Sequence, residues 1–392
     1  MITRIFYPVG QGAFYSEKHK VEQGYSEKHK SFNIVYDCGT DWSGRKKKKF
    51  DTIVRQAFSK DETIDILFIS HFDYDHISKI SLLRESVKEI KRVIMPLLHK
   101  NERILLKNFY RGLGFDDTGI FDNPNKFFKE GTRVFYIKPY DGPTDNNDKI
   151  NLSKDIDYPQ EINSGSKFTL YNSDWIFIPY NFKFDKNEKS LKEKLQQNDF
   201  NISKMQNDPD YILNLIESCN IETRKKIRQI YNELEGRINV NSMFLYSGPE
   251  HGNTYSRINN NRGLDPCYLP GCIYTGDGDL NKVEIYDVFK DYFKNVGTIQ
   301  VPHHGAENSF NTDFLKDSDK KCRSNNKTRI YPISFGKENP YNHPSLKVMQ
   351  DIVEHENYPV LITDDFQSIY FETIIRKPTE YNLRKTPRGI LI

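Results

Sequence analysis

Ile64-Asp65-Ile66-Leu67-Phe68-Ile69-Ser70-His71-Phe72-Asp73-Tyr74-Asp75-His76 is a short apolar run that ends abruptly in a polar loop. The run at 64–69 is β-branched and aromatic, which reads as a buried strand. The loop holds four potential metal ligands, His71, Asp73, Asp75 and His76. Open α/β folds place their chemistry in loops at the carboxyl ends of strands, which is where this loop falls. Imidazole and carboxylate are donors that divalent metals favour. A solvated loop carries one His or one Asp by chance; two of each at alternating positions point to a metal.

The bulk composition sets wide bounds around that stretch. A chain of 392 residues can bury a substantial core in one large domain or two smaller ones, and one domain over 1–392 is expected. Hydrophobic residues make up 36%, low for an enzyme, while aromatics reach 13%. With 57 basic and 54 acidic residues the net charge is +3, so no bulk attraction to a polyanion is implied and a local basic groove stays open. The five cysteines, Cys38, Cys219, Cys267, Cys272 and Cys322, are odd in number and lack a CxxC pair, which argues against a disulfide framework. No signal-peptide pattern opens the sequence, and no apolar run approaches the ~20 residues that span a bilayer. A soluble, cytoplasmic protein without a membrane partner is expected.

Outward from the loop, the pattern alternates between strands and helices. Residues 2–9 predict a first strand, followed by the glycine turn at 10–12. The repeated YSEKHK at 15–20 and 25–30 predicts a lengthened polar hairpin, which makes His19 and His29 poor ligands. A strand over 32–36 ends in Asp37-Cys38-Gly39-Thr40, and GRKKKK at 44–49 predicts a solvated basic loop before a helix over 50–59. Apolar residues at Ile77, Ile80, Leu83, Val87 and Ile90 predict one helix behind the ligand loop, then a strand over 92–95. The weak pattern of 97–163 predicts an elaborated segment with a strand at 133–137. Strands over 167–171 and 175–178 pair around a turn. Residues 183–236 predict a helical insertion that covers or borders the site, with Asp208 capping a helix that has Pro209 at its first position. A mobile loop is predicted over 247–266, between strands at 243–246 and 272–274.

The second half repeats the strand-then-ligand arrangement. Tyr274 leads into Thr275-Gly276-Asp277-Gly278-Asp279, an acidic turn that would repel phosphate and suits a metal-bridging Asp277. The strand 297–301 ends in Pro302-His303-His304-Gly305, and the strand 331–335 leads to Asn342-His343-Pro344-Ser345. Five of the ten histidines, His71, His76, His303, His304 and His343, thus sit in turns after apolar strands.

Taken in order, VGQGAF at 9–14, YDCG at 36–39, SHFDYDH at 70–76, NVNSMF at 239–244, YTGD at 274–277, VPHHG at 301–305 and NHPS at 342–345 resemble the metallo-β-lactamase superfamily. Within it they resemble the hydrolase domain of ComEC-type competence proteins. The resemblance implies an α/β fold, an αββα sandwich of two mixed sheets with outer helices, and 183–236 as an insertion. It implies that His71, Asp73 and Asp277 hold one divalent metal, and that Asp75, His76, Asp277 and either His303 or His304 hold another. His303, nearest the strand end, is the favoured choice. Asp75 would orient the attacking water, His304 and His343 would approach the substrate or donate a proton, and Asn241, Ser242 and Ser345 would contact substrate. The usual HxHxDH is here HxDxDH, with Asp73 at the second His, and Asn241-Ser242 stand near the place of a further zinc-binding His. Harder oxygen donors favour Mn²⁺ or Mg²⁺ more than an all-His site does, with Zn²⁺ as the other candidate.

Three functions follow as expectations. The first is a two-metal phosphodiesterase that cleaves DNA or RNA, a stand-alone nuclease in a defence-type effector, with room for a protein partner encoded nearby. Two such ions sit roughly 3.5–4 Å apart in known sites. The second is a phosphodiesterase of cyclic nucleotides or other small phosphoesters. The third is a metal-binding scaffold that recognises a partner. Polymer preference, metal identity and oligomeric state are left open by the sequence.

Overall fold

The structure is a computed structural model that describes residues 1–21, 30–41, 45–115, 117–142, 148–153, 157–170, 173–234, 241–252, 254–260, 269–315 and 328–377. Its early strands are β1 (Ile2–Phe6), β2 (Phe14–Val21), β3 (Lys30–Cys38), β4 (Thr63–Ile64), β5 (Ile66–Phe68), β6 (Glu89–Ile90) and β7 (Arg92–Pro96). Next come β8 (Arg133–Ile137), β9 (Lys149–Asn151), β10 (Glu161–Ile162), β11 (Lys167–Thr169), β12 (Trp175–Lys183) and β13 (Asn241–Pro249). The last are β14 (Tyr255–Asn260), β15 (Gly271–Tyr274), β16 (Val296–Ile299), β17 (Ile330–Ser334), β18 (Tyr358–Ile362) and β19 (Tyr370–Arg376). Among the described residues they form a nine-stranded sheet, β10-β8-β7-β5-β3-β2-β1-β19-β14, and an eight-stranded sheet, β18-β17-β16-β15-β13-β12-β11-β9. β4 and β6 pair by themselves.

The helices are α1 (Arg45–Ala57), α2 (Tyr74–Ile77), α3 (Ile80–Ser86), α4 (Lys100–Leu113), α5 (Gly119–Asp122) and α6 (Pro124–Phe127). The region expected to be helical supplies α7 (Asp185–Gln197), α8 (Ile202–Asn207) and α9 (Tyr211–Glu233), followed by α10 (Ile285–Val288) and α11 (Leu346–Glu354). Three hydrophobic clusters define the layers. Phe6, Tyr15, Tyr36, Phe68, Phe177, Met243 and Tyr274 fill the space between the sheets. Phe50, Leu83, Leu105, Phe109, Ile212 and Ile227 pack helices against the first sheet. Ile178, Phe244, Phe289, Val348 and Ile352 pack helices against the second. This is the predicted αββα sandwich, a helix layer outside each of two mixed sheets.

The aromatic-rich, hydrophobic-poor composition has its explanation in the middle layer. Tyr15 donates to Ser334 Oγ, Tyr36 to the Met243 carbonyl, Tyr274 to Glu17 and Trp175 to Ser247 Oγ. Large rings supply the apolar area and each polar tip finds a partner, as buried polar groups require.

The topology places the site. β3, β5, β7 and β8 run parallel, as do β15, β16, β17 and β18. The carboxyl end of β3 carries Asp37, and those of β5, β15, β16 and β17 lead into the 70–76 loop and the segments that carry Asp277, His303–His304 and His343. The sheets are tied together at this edge, where Met243 N donates to the Ser70 carbonyl at 2.7 Å.

Several local expectations are corrected. The strand at 64–69 is interrupted at buried Asp65 into β4 and β5, and the Asp65 carboxylate accepts from Asn33 N and pairs with Lys91. The single helix over 77–90 is α2 and α3, and Glu89–Ile90 leave it to pair with β4. The basic run is not a loop: Arg45–Lys49 opens α1. Within 97–163 lies α4, whose apolar face includes Leu105, Leu106, Phe109 and Tyr110. Asp208 ends α8, and α9 starts only at Tyr211, after Asp210. The 247–266 segment contains β14, paired antiparallel with β19. The first copy of the repeat lies in β2, where Glu17 and His19 are buried, not solvated. The second copy, including His29, and the helix-ending Gly236 lie outside the described residues.

Candidate metal centre

The 70–76 loop is rigid because it is a capped helix start. Asp73 caps α2, accepting from Tyr74 N at 3.0 Å, and α2 then presents Asp75 and His76 inward. Two glycine turns press against the backbone of these ligands. A Cβ on Gly39 would lie 2.5 Å from the Asp75 carbonyl, and one on Gly12 would lie 2.7 Å from it. Only glycine permits that approach, so GQG and DCG act together as a clamp.

The four inner histidines share one design: Nδ1 is tied and Nε2 faces the centre. His76 Nδ1 donates to Asp37 Oδ2 at 2.8 Å, and His304 Nδ1 donates to the Ser334 carbonyl at 2.8 Å. His71 Nδ1 lies 2.8 Å from Ser70 Oγ, which itself donates to Asp37 Oδ2 at 2.6 Å. His303 Nδ1 lies 3.2 Å from Ser309 Oγ. Fixing one ring nitrogen sets the tautomer and aims the lone pair of the other, as metal-ligating histidines do.

The Nε2 atoms converge on two carboxylates. Asp277 Oδ1 is 3.0 Å from His76 Nε2, while its Oδ2 is 3.8 Å from His71 Nε2 and 4.0 Å from His303 Nε2. Asp75 Oδ2 is 2.9 Å from His304 Nε2. Donor atoms of Asp75, His76, Asp277 and His304 all lie within 4.8 Å of one another. His304, and not the expected His303, falls in that four-residue group. His303 faces the other oxygen of Asp277, beside His71. Asp73 stands slightly back, its Oδ1 accepting from Tyr110 OH at 2.9 Å.

Whether a divalent cation fits these residues is answered by the buried atoms themselves. His71 Nε2, His76 Nε2 and Asp277 Oδ1 are buried and make no well-aligned hydrogen bond, although His76 and Asp277 touch as an ion pair. Such orphaned groups are costly unless something else occupies the centre. Burial, with His76 nearby, pushes His71 down to about 3, so its imidazole stays neutral and able to ligate. Burial pushes Asp73 well up, reinforced by Asp75 and Asp277. Burial would also raise Asp277, but His76 and His303 outweigh it and hold the carboxyl well below its usual range. The electrostatics call for positive charge at the centre, and the mixed imidazole and carboxylate donors fit a divalent ion.

Backbone conformation singles out the same place. Asp37, His303, His304 and Asn342 all have left-handed φ, between 47° and 56°. Such strain in non-glycine residues, about 1–3 kcal/mol each, is retained mainly where surrounding structure enforces a functional geometry. In the 302–305 turn it turns two successive histidines toward the centre from one strand end.

The remaining predicted residues are placed as follows. His343 borders the centre, its ring 5.5 Å from that of His303. Ser345 caps α11 and its Oγ donates to Glu307 at 3.1 Å, on the wall of a cleft of about 1310 Å³. Asn241 and Ser242 are fully enclosed at the start of β13; Asn241 donates to Asn181 Oδ1 and Ser242 to the Thr275 carbonyl. Both are buried and neither lines the clefts or the central cavity, unlike the substrate contact expected of them.

Other residues entered only with the structure. Asp37 organises Ser70 and His76, and its signal was an acid at a strand end before Gly39. Gln300 accepts from Thr275 N and Gly276 N at 2.8 and 2.9 Å, fixing the turn that delivers Asp277. A cavity of about 20 Å³ at the centre is lined by Asp73, Asp75, Asp277, His303, Tyr231 and Tyr341, among others. That is room for about one water or a comparable small species. A second cleft of about 410 Å³ opens on the other side of His303, bordered by Phe184, Lys186, Leu234 and Lys282. A separate group, Asp174, Glu250 and His251, lies elsewhere, and its Glu250 is paired with Lys149 and Lys167.

Residues 27–150 match the model described as the metallo-beta-lactamase superfamily, so this part of the chain is similar to that superfamily. The matched segment holds Asp37, His71, Asp73, Asp75 and His76; Asp277, His303, His304 and His343 lie outside it. No curated protein matches the chain. Among the described residues, no helix is long and apolar enough to cross a membrane.

Proposed function

We propose that this protein is a metal-dependent phosphodiesterase whose substrate is DNA or RNA. The observation that carries this reading is the convergence of four imidazole Nε2 atoms on Asp75 and Asp277, with every Nδ1 tied, beside two clefts that His303 borders. His71, His76, His303, His304, Asp73, Asp75 and Asp277 are the residues that would hold divalent ions, Mn²⁺ or Zn²⁺ with Mg²⁺ as a third choice. Ions held by these residues would supply Lewis acidity to the phosphoryl group. The chain itself does the rest. Asp75, hydrogen-bonded to His304, orients the attacking water and can take its proton into that pair. His343, at the mouth, is placed to give a proton to the leaving alkoxide, since imidazole titrates near neutrality. The motif order, which resembles ComEC-type competence hydrolases, supports a nucleic-acid substrate, and a defence-type effector with a protein partner is the setting proposed for it.

A second reading keeps the chemistry and takes cyclic nucleotides or other small phosphoesters. It is favoured by the mixed charge of the cleft walls, where Lys186, Lys282 and Lys347 are matched by Glu233, Asp279 and Glu307. A metal-binding scaffold without turnover is the third. A cleavage panel of single- and double-stranded DNA, RNA and cyclic nucleotides, titrated with Mn²⁺, Zn²⁺ and Mg²⁺, separates them. Polymer cleavage that falls at least about 100-fold in Asp277→Asn is expected. Turnover of cyclic nucleotides alone would select the second reading, and metal binding with every substrate intact would select the third.

A further inference from the structure

The last turn of α9 reaches the metal centre, and its successive residues line different spaces. Tyr231 lines the central cavity, Asn232 the larger cleft, and Glu233 with Leu234 the smaller one. α9 is held there by packing, not by the superfamily-matched segment alone. It crosses α4 where Gly112 lets Ile227 approach, since a Cβ on Gly112 would lie 2.8 Å from Ile227 Cγ1. The Tyr231 ring then rests 6.5 Å from that of Phe109.

A buried or half-buried tyrosine hydroxyl ordinarily finds a partner, as Tyr15, Tyr36, Tyr110 and Tyr274 do here. Among the described residues the Tyr231 hydroxyl has none, although its ring is anchored. Burial, with Asp73 and Asp75 close by, pushes the phenol well above its usual range, so it remains a donor and not a phenolate. A neutral donor on a fixed ring, across a one-water cavity from the metal-ligand carboxylates, is arranged to meet an anionic oxygen.

We infer that the Tyr231 hydroxyl donates a hydrogen bond to a phosphoryl oxygen of the substrate bound at the metal centre. The inference rests on the phosphodiesterase reading for its substrate and on the geometry of α9 for its residue. No proton is transferred; the bond strengthens as negative charge grows on that oxygen, so the contribution falls mainly on kcat.

Tyr231→Phe tests this, because it removes the hydroxyl and keeps the ring against Phe109. With Mn²⁺ and bis(p-nitrophenyl) phosphate, kcat should fall by about 100-fold while KM stays within about threefold. Calorimetric binding of inorganic phosphate to the Mn²⁺-loaded protein should weaken by about tenfold or more, with unchanged Mn²⁺ content and melting temperature. Tyr341→Phe serves as comparison, since Tyr341 lines the same cavity from the 335–345 loop. Unchanged kcat and phosphate affinity in Tyr231→Phe, or losses confined to Tyr341→Phe, overturn the inference. A wild type that leaves the diester intact, yet binds phosphate in a Tyr231-dependent way, overturns the phosphodiesterase reading and upholds the donor. A wild type that neither cleaves the diester nor binds phosphate overturns both.

Discussion

At the scale of single residues, Asp37 is the group on which the centre's orientation depends. Its carboxylate accepts from Ser70 N at 2.7 Å, Ser70 Oγ at 2.6 Å and His76 Nδ1 at 2.8 Å. One side chain thus sets the ring of His76 directly and that of His71 through Ser70. Asp37→Asn keeps the shape, but its amide would set an N–H against the groups that now donate to Oδ2. Outer partners of metal-bound histidines typically contribute 10–100-fold to affinity. Mn²⁺ or Zn²⁺ affinity measured by calorimetry should therefore fall by about that factor in Asp37→Asn, with the far-ultraviolet circular dichroism unchanged. Wild-type affinity in that variant would show that the ring orientations are set elsewhere. The residue scale also shows where sequence reasoning stopped. That His71, Asp73, Asp75, His76 and Asp277 belong to one centre was implied by the resemblance that the ordered motifs carry. Which of two adjacent histidines meets Asp75 was not, because it depends on the left-handed turn at His303 and His304, which is enforced by neighbours remote in the chain.

At the scale of elements, the site is made by strand ends and clamped by turns. Strands that end in ligand turns were legible because period and punctuation are local signals. β14 was not: its partner β19 is over a hundred residues away, and nothing in an Asn-rich segment announces a pairing that remote. α4 was legible in principle, since Leu105, Leu106, Phe109, Tyr110 and Leu113 follow a helical spacing, but polar neighbours obscured it. The helical character of 185–233 is legible in its composition, whereas the reach of α9 to the centre depends on the α4–α9 crossing, a tertiary fact. The clamp makes a sharp prediction. Gly39→Ala would place a methyl carbon 2.5 Å from the Asp75 carbonyl oxygen and from His76 C, inside any real contact distance. Overpacking of this kind costs about 1–3 kcal/mol, and here the atoms displaced are the backbone of two ligands. Urea denaturation should show a loss of roughly that size, together with a metal affinity weakened by more than the stability change alone explains. An alanine variant with native stability and native metal affinity would mean that the two turns can separate at no cost.

At the scale of the whole molecule, the two sheets are joined at their middle by charge as well as by rings. Arg4 of β1 is fully buried between Glu17 of β2, at 2.9 Å, and Glu372 of β19, at 2.6 Å, and Arg257 of β14 completes the group at 2.6 Å from Glu372. Arg4 also donates to the Ser247 and Pro270 carbonyls and Thr298 Oγ1 to Glu372, so the network reaches the second sheet. Burial alone would raise Glu17, but Arg4 and His19 outweigh it and lower its pKa to about 2. Glu372 is lowered in the same way, with Arg257 and Arg4 outweighing its burial. The sign of the consequence is fixed. In the unfolded chain a Glu carboxyl binds a proton near its ordinary value of 4.5, while folded Glu17 stays ionised until about 2. The unfolded state therefore binds more protons through that window. The stabilisation from Glu17 is fully present above about pH 4.5 and is lost as pH falls toward 2, on the order of 3 kcal/mol in all. Glu17→Gln removes the titration but leaves Arg4 short of a charge partner. It should thus cost about 3–5 kcal/mol at neutral pH, while its stability falls less steeply than wild type below pH 4.5. Thermal melts from pH 7 to pH 2 on both proteins measure this. Parallel acid slopes would mean that Glu17 is no more ionised in the folded state than in the unfolded one, and that the charges joining the sheets take no part in acid unfolding.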